Sequence, residues 1–283
     1  MRKLLSLLIV GAAGTLFAGT PAHAAPTSSE IIAKARSRVA SEKALNAVQA
    51  ITFEGKITLF GEKLPAEGKS GYVQIDYKKP GKRREYRLDA AAGVESVTAF
   101  NGLEGFTQVT QLRSGRKQLG GIQPAVKNSF SDLYDIDTGF FAEPPKGSVR
   151  TAGEALQKQT NKPAYVLEYT YRNGTIARRF FDKSTGVLLA QELYRKDAEG
   201  KEPDESKRAV LVDEGEIKTT ARILKPAAPG APKDAKPEFE NVEFTFPKTT
   251  TTYVGGKKVS VLEYSAVRVN GLVLDVSFNY PMP

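Results

Sequence analysis

The residues best suited to chemistry are the aspartates between positions 132 and 137. Asp137-Thr138-Gly139 has the composition of an aspartic-protease active-site tripeptide. That chemistry needs two carboxylates that share a proton, and the sequence contains no second copy. Asp132, Asp135 and Asp137 could instead hold calcium, but the order of ligands, glycine and distal glutamate that defines an EF-hand loop is missing. The sequence therefore favours turn-forming aspartates over a catalytic or metal site.

Residues 1–24 have the pattern of an export signal. Arg2 and Lys3 form its positive region, an apolar stretch follows, and Ala22-His23-Ala24 supplies a small-residue cleavage site. Cleavage would leave residues 25–283, which we predict to form a single domain in the periplasm. Full secretion is the alternative.

The side-chain inventory argues against an enzyme. His23 is the only histidine, it leaves with the signal, and the chain contains neither Cys nor Trp. Serine–histidine and cysteine nucleophile systems and the usual zinc and copper ligand sets are therefore missing. We predict no catalytic residue, no metal and no cofactor. The net charge falls from +9 to +7 with the loss of Arg2 and Lys3, which favours an anionic lipid, a cell-wall polymer or an acidic protein over nucleic acid as partner.

The stretch from Lys162 to Tyr194 predicts a three-stranded antiparallel meander that forms the central wall of the fold. From Tyr165 onward, tyrosine and leucine side chains alternate with side chains of mixed polarity, which is the period of a strand. Asn173-Gly174 fits a tight hairpin, and the segment 182–186 fits a second turn.

The rest of the chain predicts an α+β fold that is mainly β. Thr27 and Glu30 form a capping box for an N-terminal helix, with a possible break at residues 40–41. Strand patterns follow from Ile51 to the C-terminus, where the last predicted strand spans residues 272–278. The less regular stretch 112–155 is interpreted as a lid over the sheet or a plug within it. Composition predicts mobile loops near 196–207 and 225–238.

Several segments together resemble the LolA/LolB-like family of periplasmic carriers that sort outer-membrane lipoproteins. The resemblance covers the meander with its turn at Asp182, Thr185 and Gly186, the segment GYVQIDYKKPGKRREYRL, the hairpin FNGLEGF and the closing NGLVLDVSFNYP. It implies a strongly curved antiparallel sheet, an incomplete β-barrel, whose apolar cavity shields acyl chains. In the soluble carriers an arginine before the proline of the basic turn helps to hold the lid, and the matching position here is Lys79.

Strand parity assigns candidate residues to that cavity. The predicted lipid-binding residues are Ile57, Leu59, Val73, Ile75, Tyr86, Leu88, Val97, Leu167, Tyr169, Phe180, Leu189, Phe244 and Phe246. The predicted lid residues are Phe130, Leu133, Tyr134, Phe140 and Phe141. A basic rim is predicted at Lys78, Lys79, Lys82, Arg83, Arg84 and Arg87. This rim is either a solvated strand edge or a docking patch for an anionic membrane surface or an envelope protein.

Two functions remain open from the sequence. One is a carrier of the acyl chains of lipoproteins or lipids. The other is an envelope-sensing or regulatory protein-binding module that uses the same fold without lipid transport. The cavity residues would equally suit a filled core, so the space on the concave side of the sheet decides between these interpretations.

Overall fold

The computed structural model describes residues 25–121, 138, 140, 148–171, 174–225 and 238–279. Two helices, α1 (Ser28–Val39) and α2 (Glu42–Ala47), precede the strands. The strands are β1 (Ala50–Leu59), β2 (Lys69–Lys78), β3 (Lys82–Asp89), β4 (Val94–Phe100), β5 (Gly105–Gln111), β6 (Arg116–Gly121), β7 (Val149–Gln157), β8 (Lys162–Thr170), β9 (Thr175–Asp182), β10 (Leu188–Arg195), β11 (Ala209–Leu224), β12 (Phe239–Val254) and β13 (Lys257–Val269).

The two helices begin at the caps that the sequence specifies. The Thr27 side chain accepts a hydrogen bond from the Glu30 backbone, and the Glu30 carboxylate accepts one from the Thr27 backbone at 2.7 Å. This reciprocal arrangement satisfies two otherwise unpaired donors at the helix start. Ser41 caps α2 in a similar way, through a bond from the Ala44 backbone. The predicted break at residues 40–41 therefore separates two helices.

All thirteen described strands belong to one sheet, in the order β6-β5-β4-β3-β2-β1-β13-β12-β11-β10-β9-β8-β7. Every strand pairing within the described residues is antiparallel, and β8, β9 and β10 pair in the predicted order. The order ends at β6 on one side and β7 on the other, so the described sheet stays open. The predicted class, a mainly β fold with an incomplete antiparallel barrel and an N-terminal helix, is confirmed.

The sheet is strongly curved. Arg83 on β3 and Lys162 at the start of β8 line the same cavity, although β3 and β8 are eight strand positions apart in the sheet. A flat sheet would separate them by about 38 Å, because neighbouring strands lie about 4.8 Å apart. A bulge contributes at β1 and β13, where Gly55 passes so close to Glu263 that an added Cβ would lie 2.1 Å from its carbonyl oxygen.

The helices pack on the concave side, which we call the inner face. Under α2, a cluster includes Phe53, Tyr77 and Phe244. Under α1, a second cluster includes Leu167 and Tyr169. These side chains are at most 2% exposed. The opposite, outer face carries a third cluster, which is formed by Ala164, Val166, Phe180, Ala190 and Val212. Leu189 also contacts this cluster, but it is the extra residue of a bulge on β10 and reaches the inner face as well. Strands β8 to β10 thus carry buried apolar side chains on both faces.

Three segments differ from the sequence prediction or extend it. The stretch 112–155, predicted as irregular, contributes the edge strands β6 and β7. The predicted strand 272–278 is wrong, since Asp275–Phe278 forms a 3-10 turn. The segment 196–207, which composition predicted as mobile, carries Glu202, whose carboxylate contacts Arg178 and Arg208 at 3.1 Å each. Those contacts join it to the outer face.

Among the described residues, no helix combines the length and the hydrophobicity that crossing a membrane requires.

Candidate binding cavity

A cavity of about 800 Å³ lies on the inner face of the sheet. Its walls come from α1, from β1, β2 and β3 on one side, and from β10 to β13 on the other. This volume falls within the range of about 300–1,000 Å³ that is typical of small-molecule sites. The curvature of the sheet creates the cavity, because it brings distant strands around one space.

The floor of the cavity is apolar. Ile57 and Leu262 are direct cross-strand neighbours on β1 and β13, and both are half-buried. Val73, Ile75 and Phe246 continue the same surface. Alternation within the strands places these residues on one face, since side chains two positions apart point in the same direction. The floor presents a continuous surface of branched and aromatic groups.

Aromatic rings pack against one another at one side of this floor. The ring of Phe53 lies 5.4 Å from Phe246, edge to face, and 5.0 Å from Tyr264. Edge-to-face pairs at such distances are favourable beyond the area that they bury. Phe246 and Tyr264 also line the cavity, so the aromatic cluster fixes the position of its wall.

A row of charges forms the wall at β3. Arg83, Glu85 and Arg87 are spaced by two, and all three line the cavity. Arg83 Nη2 donates to Glu85 Oε2 at 2.9 Å, its Nε donates to the Tyr77 hydroxyl at 3.1 Å, and Arg87 Nε donates to Glu85 Oε1. Burial would raise the pKa of Glu85, but the two guanidiniums outweigh it and hold that pKa below its usual value. Glu85 is therefore ionised at neutral pH.

The β11 side of the cavity carries carboxylates. Asp213, Glu214 and Glu216 all contribute to its lining. Thr250 donates to Asp213 at 2.7 Å, and Arg38 of α1 approaches Glu216 at 3.6 Å. The cavity therefore has an arginine-rich side at β3, an acidic side at β11 and the apolar floor between them.

The turn between β9 and β10 fixes α1 above the cavity. Asp182 accepts hydrogen bonds from the backbones of Ser184 and Thr185 at 2.9 and 2.8 Å. The folded turn directs the Ser184 carbonyl toward Lys34, whose Nζ donates to it at 2.8 Å. Gly186 has a positive φ of 76° and lies against the Lys34 stem, where an added Cβ would be 2.7 Å from it. The turn that carries part of the family resemblance is thus a docking point for the helix.

One predicted lid residue packs into the inner face. Phe140 is 4% exposed and lies 6.1 Å from Phe246. Its carbonyl accepts a hydrogen bond from Arg36 of α1, and the same guanidinium holds Glu42 at 2.7 Å. Lys79, the position that matches the lid-holding arginine of the family, has its pKa lowered by burial and by the nearby Arg36. The other predicted lid residues, Phe130, Leu133, Tyr134 and Phe141, lie outside the described residues, as do Asp132, Asp135 and Asp137.

The predicted cavity residues divide into four groups. Those that line the cavity are Ile57, Val73, Ile75, Leu189 and Phe246. Leu167, Tyr169 and Phe244 lie on the inner face but are buried beneath the helices. Leu59 lies at the end of β1, is 36% exposed and does not contribute to the lining.

The remaining four candidates lie on the outer face, so their predicted parity is wrong. Phe180 pairs with Val166, whereas Leu167 pairs with Arg179. Tyr86 pairs with Gln74 and Val97, and Leu88 pairs with Tyr72. Alternation shows which residues share a face but does not show which face is concave. On β3 the more apolar face is the outer one, where the rings of Tyr72 and Tyr86 meet at 6.1 Å.

The predicted basic rim does not form one patch. Lys78 and Lys82 both reach Asp275, at 3.1 and 2.6 Å. Arg84 pairs with Asp76 at 3.2 Å on the outer face. Arg83 and Arg87 belong to the cavity wall, which the sequence interpretation missed. Their spacing around Glu85 was the available signal, since residues two apart on a strand share a face.

Comparisons with known proteins give structural likenesses only. No family model matches the chain, and no curated protein matches it. An outer membrane lipoprotein-sorting protein domain from Vibrio parahaemolyticus is 13% identical, with 88% of this chain and 95% of that chain covered and a TM-score of 0.47. A LolA superfamily protein from Nitrosomonas europaea is also 13% identical, with coverage of 90% and 99% and a TM-score of 0.49.

The family that the sequence resembles is found among these structures. The Pseudomonas aeruginosa MucA/MucB complex is a further likeness, at 14% identity, coverage of 86% and 99%, and a TM-score of 0.22. The fold described above is defined by the strand order and pairing register of this chain itself, and it does not depend on these likenesses.

Proposed function

We propose that this chain is a non-enzymatic periplasmic carrier that binds the acyl chain of a lipid or lipoprotein in the inner-face cavity. The observation that carries the proposal is the half-buried state of two residues in the apolar floor, Ile57 and Leu262. Ile57 and Leu262 lie in the middle of the sheet, yet they keep surface that is accessible from the cavity. Side chains of this type are more often fully buried in a filled core.

The expected binding free energy of an acyl chain is compatible with reversible binding. Each buried methylene contributes about 0.8 kcal/mol, so about ten of them would contribute roughly 8 kcal/mol, which corresponds to micromolar affinity. The costs of immobilising the chain reduce this value. A carrier must also release its cargo, and partial burial of one chain is compatible with release.

The charged walls support the alternative of a protein-binding module. Asp213, Glu214 and Glu216 provide carboxylates that would suit the backbone or basic side chains of a peptide. A regulatory module of that kind would use the cavity without an acyl ligand. The two functions differ in whether the apolar floor is needed for binding.

The test compares Leu262→Trp with Val261→Trp. Leu262 lines the cavity, whereas its neighbour Val261 lies on the outer face opposite Thr58. We expect Leu262→Trp to weaken the binding of a fluorescent acyl probe at least about tenfold, because the indole would occupy the floor, at a stability cost of about 1–3 kcal/mol. Val261→Trp should bind as the unaltered protein does. Circular dichroism would verify that both variants fold.

Material extracted from the periplasm provides the second measurement. Native mass spectrometry should detect a bound lipid or acylated protein, and the polypeptide should begin at Ala25. Unchanged probe binding by Leu262→Trp, or a bound peptide in place of a lipid in the extracted protein, would favour the protein-binding module. Retention of residues 1–24 would contradict the proposed location.

A further inference from the structure

The charge row at β3 lies between two different surfaces. On one side its cross-strand neighbours are apolar, since Arg87 pairs with Val73 and Glu85 pairs with Ile75. On the other side they carry hydroxyls, since Arg87 pairs with Ser96 and Glu85 with Thr98. Paired residues in adjacent strands share a face. At Glu85 and Arg87 the inner face therefore changes from apolar to polar, as the two ends of an amphiphile would require, whereas Arg83 pairs with the buried Phe100.

The row carries a net positive charge. Two guanidiniums share the single carboxylate of Glu85. The Arg83 side chain is 10% exposed and is oriented by both Glu85 and Tyr77. Arg83 therefore fixes the position of the Glu85 carboxylate. Because it is buried, its own guanidinium is not accessible to a ligand. Arg83 and Glu85 thus form the base of the row.

Arg87 is the accessible member of the row. Its side chain is 43% exposed, and its Nε donates to Glu85. Within the described part of the chain, its two Nη groups have no hydrogen-bond partner. They provide a planar pair of donors at a cavity wall, which matches the geometry of a carboxylate or a phosphate.

The opposite wall of the cavity carries negative charge. Asp213, Glu214 and Glu216 place carboxylates on the β11 side of the same cavity, and they would repel an anionic group. An amphiphile with a negative headgroup can therefore satisfy both walls in one orientation only, with its headgroup at β3 and its chain over the floor.

We propose that Arg87 binds the anionic headgroup of the ligand, so that the preferred cargo is an acyl amphiphile with a carboxylate or phosphate group. This inference rests on the proposed function, because it assumes that an acyl chain occupies the cavity. It narrows the ligand class to anionic lipids, such as fatty acids and phosphate monoesters, in preference to neutral acylated ends.

The experiment uses three ligands that share one twelve-carbon chain. Laurate, dodecyl phosphate and dodecanol, each below its aggregation limit, compete for the cavity with a neutral fluorescent acyl probe. Laurate and dodecyl phosphate should compete about 10- to 100-fold better than dodecanol, because a hydrogen bond to a charged group contributes about 1.5–3 kcal/mol. The stronger of the two anions identifies the headgroup source.

Variants at Arg87 assign the preference to this residue. Arg87→Gln should bind all three ligands as the unaltered protein binds dodecanol, while Arg87→Lys should retain part of the preference, since lysine keeps the charge but loses the planar donors. Arg268→Gln is the matched control. Arg268 also pairs with one carboxylate, that of Glu54, and it is 53% exposed. This control should keep the full preference.

The outcomes separate the two proposals. Equal competition by all three ligands, or a preference that survives in Arg87→Gln, would overturn the inference and leave acyl-chain binding intact. Failure of the probe to bind at all would overturn both. Thermal unfolding of each variant would show that lost preference does not reflect lost folding.

Discussion

Asp182 shows how one turn residue supports the arrangement of helix and sheet. Burial opposes its ionisation, but donors from Ser184 and Thr185 outweigh that effect and lower the pKa to about 2, from an ordinary value of 3.8. A carboxyl with a lowered folded-state pKa stabilises the protein above its unfolded-state pKa. That stability is lost as the pH falls from about 4 toward 2.

We expect Asp182→Asn to lower the free energy of unfolding by about 2 kcal/mol at pH 6. The difference from the unaltered protein should shrink below pH 4 and approach zero near pH 2. Urea unfolding at several pH values measures it. Lys34→Met, which removes the helix-side partner but keeps the carboxyl, should lower stability without removing this pH dependence. A constant difference at all pH values would show that the charge of Asp182 is not involved.

At the scale of the secondary-structure elements, burial distinguishes the core under α1 from the cavity wall. Leu167 is fully buried beneath Ile31 and Ile32, whereas Leu262 is half-buried at the cavity. Leu167→Ala should cost about 2–5 kcal/mol, because the surrounding side chains cannot fill the space that it leaves. Leu262→Ala should cost much less, since its surface is already partly accessible.

Urea unfolding of these two variants provides the comparison. Equal costs would mean that Leu262 belongs to a filled core, and the carrier proposal would lose its main support. A lower cost for Leu167→Ala than for Leu262→Ala would contradict the packing of α1 on β8. Far-ultraviolet circular dichroism would verify that each variant retains its strands.

The sequence predicts the elements of this fold better than it predicts their faces. The capping box at Thr27 and the meander were predictable, because caps and period-two patterns depend on neighbours in the chain. The parity of Tyr86 and Phe180 was not, since it depends on which face becomes concave. Phe180 and Phe181 are adjacent aromatics on a strand that is apolar on both faces. Alternation gives no preference in such a strand.

Bulges further limit prediction of the site. Tyr264 and Val267 both face inward because one extra residue at this point of β13 opposes β1. A strict period of two would place them on opposite faces. The charge row at β3 was visible as a spacing, but its inward direction follows only from the pairing of Arg87 with Val73.

At the scale of the whole molecule, the curvature is what makes a cavity from one sheet. No local pattern specifies that β3 and the start of β8 surround the same space, since the two are joined through the accumulated twist of many strands. A ligand in the cavity should therefore contact both halves of the sheet. It should stabilise strands that are distant in sequence and in sheet order.

Hydrogen exchange tests this coupling. With laurate at about 100 times its dissociation constant, ligand binding would add about 2.7 kcal/mol to global stability, and local protection should rise in both β2 and β10. The edge strand β6, exposed along its whole length, should change least and serves as the internal control. Protection confined to β2 would place the ligand on one half of the sheet, outside the shared cavity. Equal protection in β6 would indicate a global effect without a defined site, because only strands that contact the ligand should gain more than the molecule as a whole.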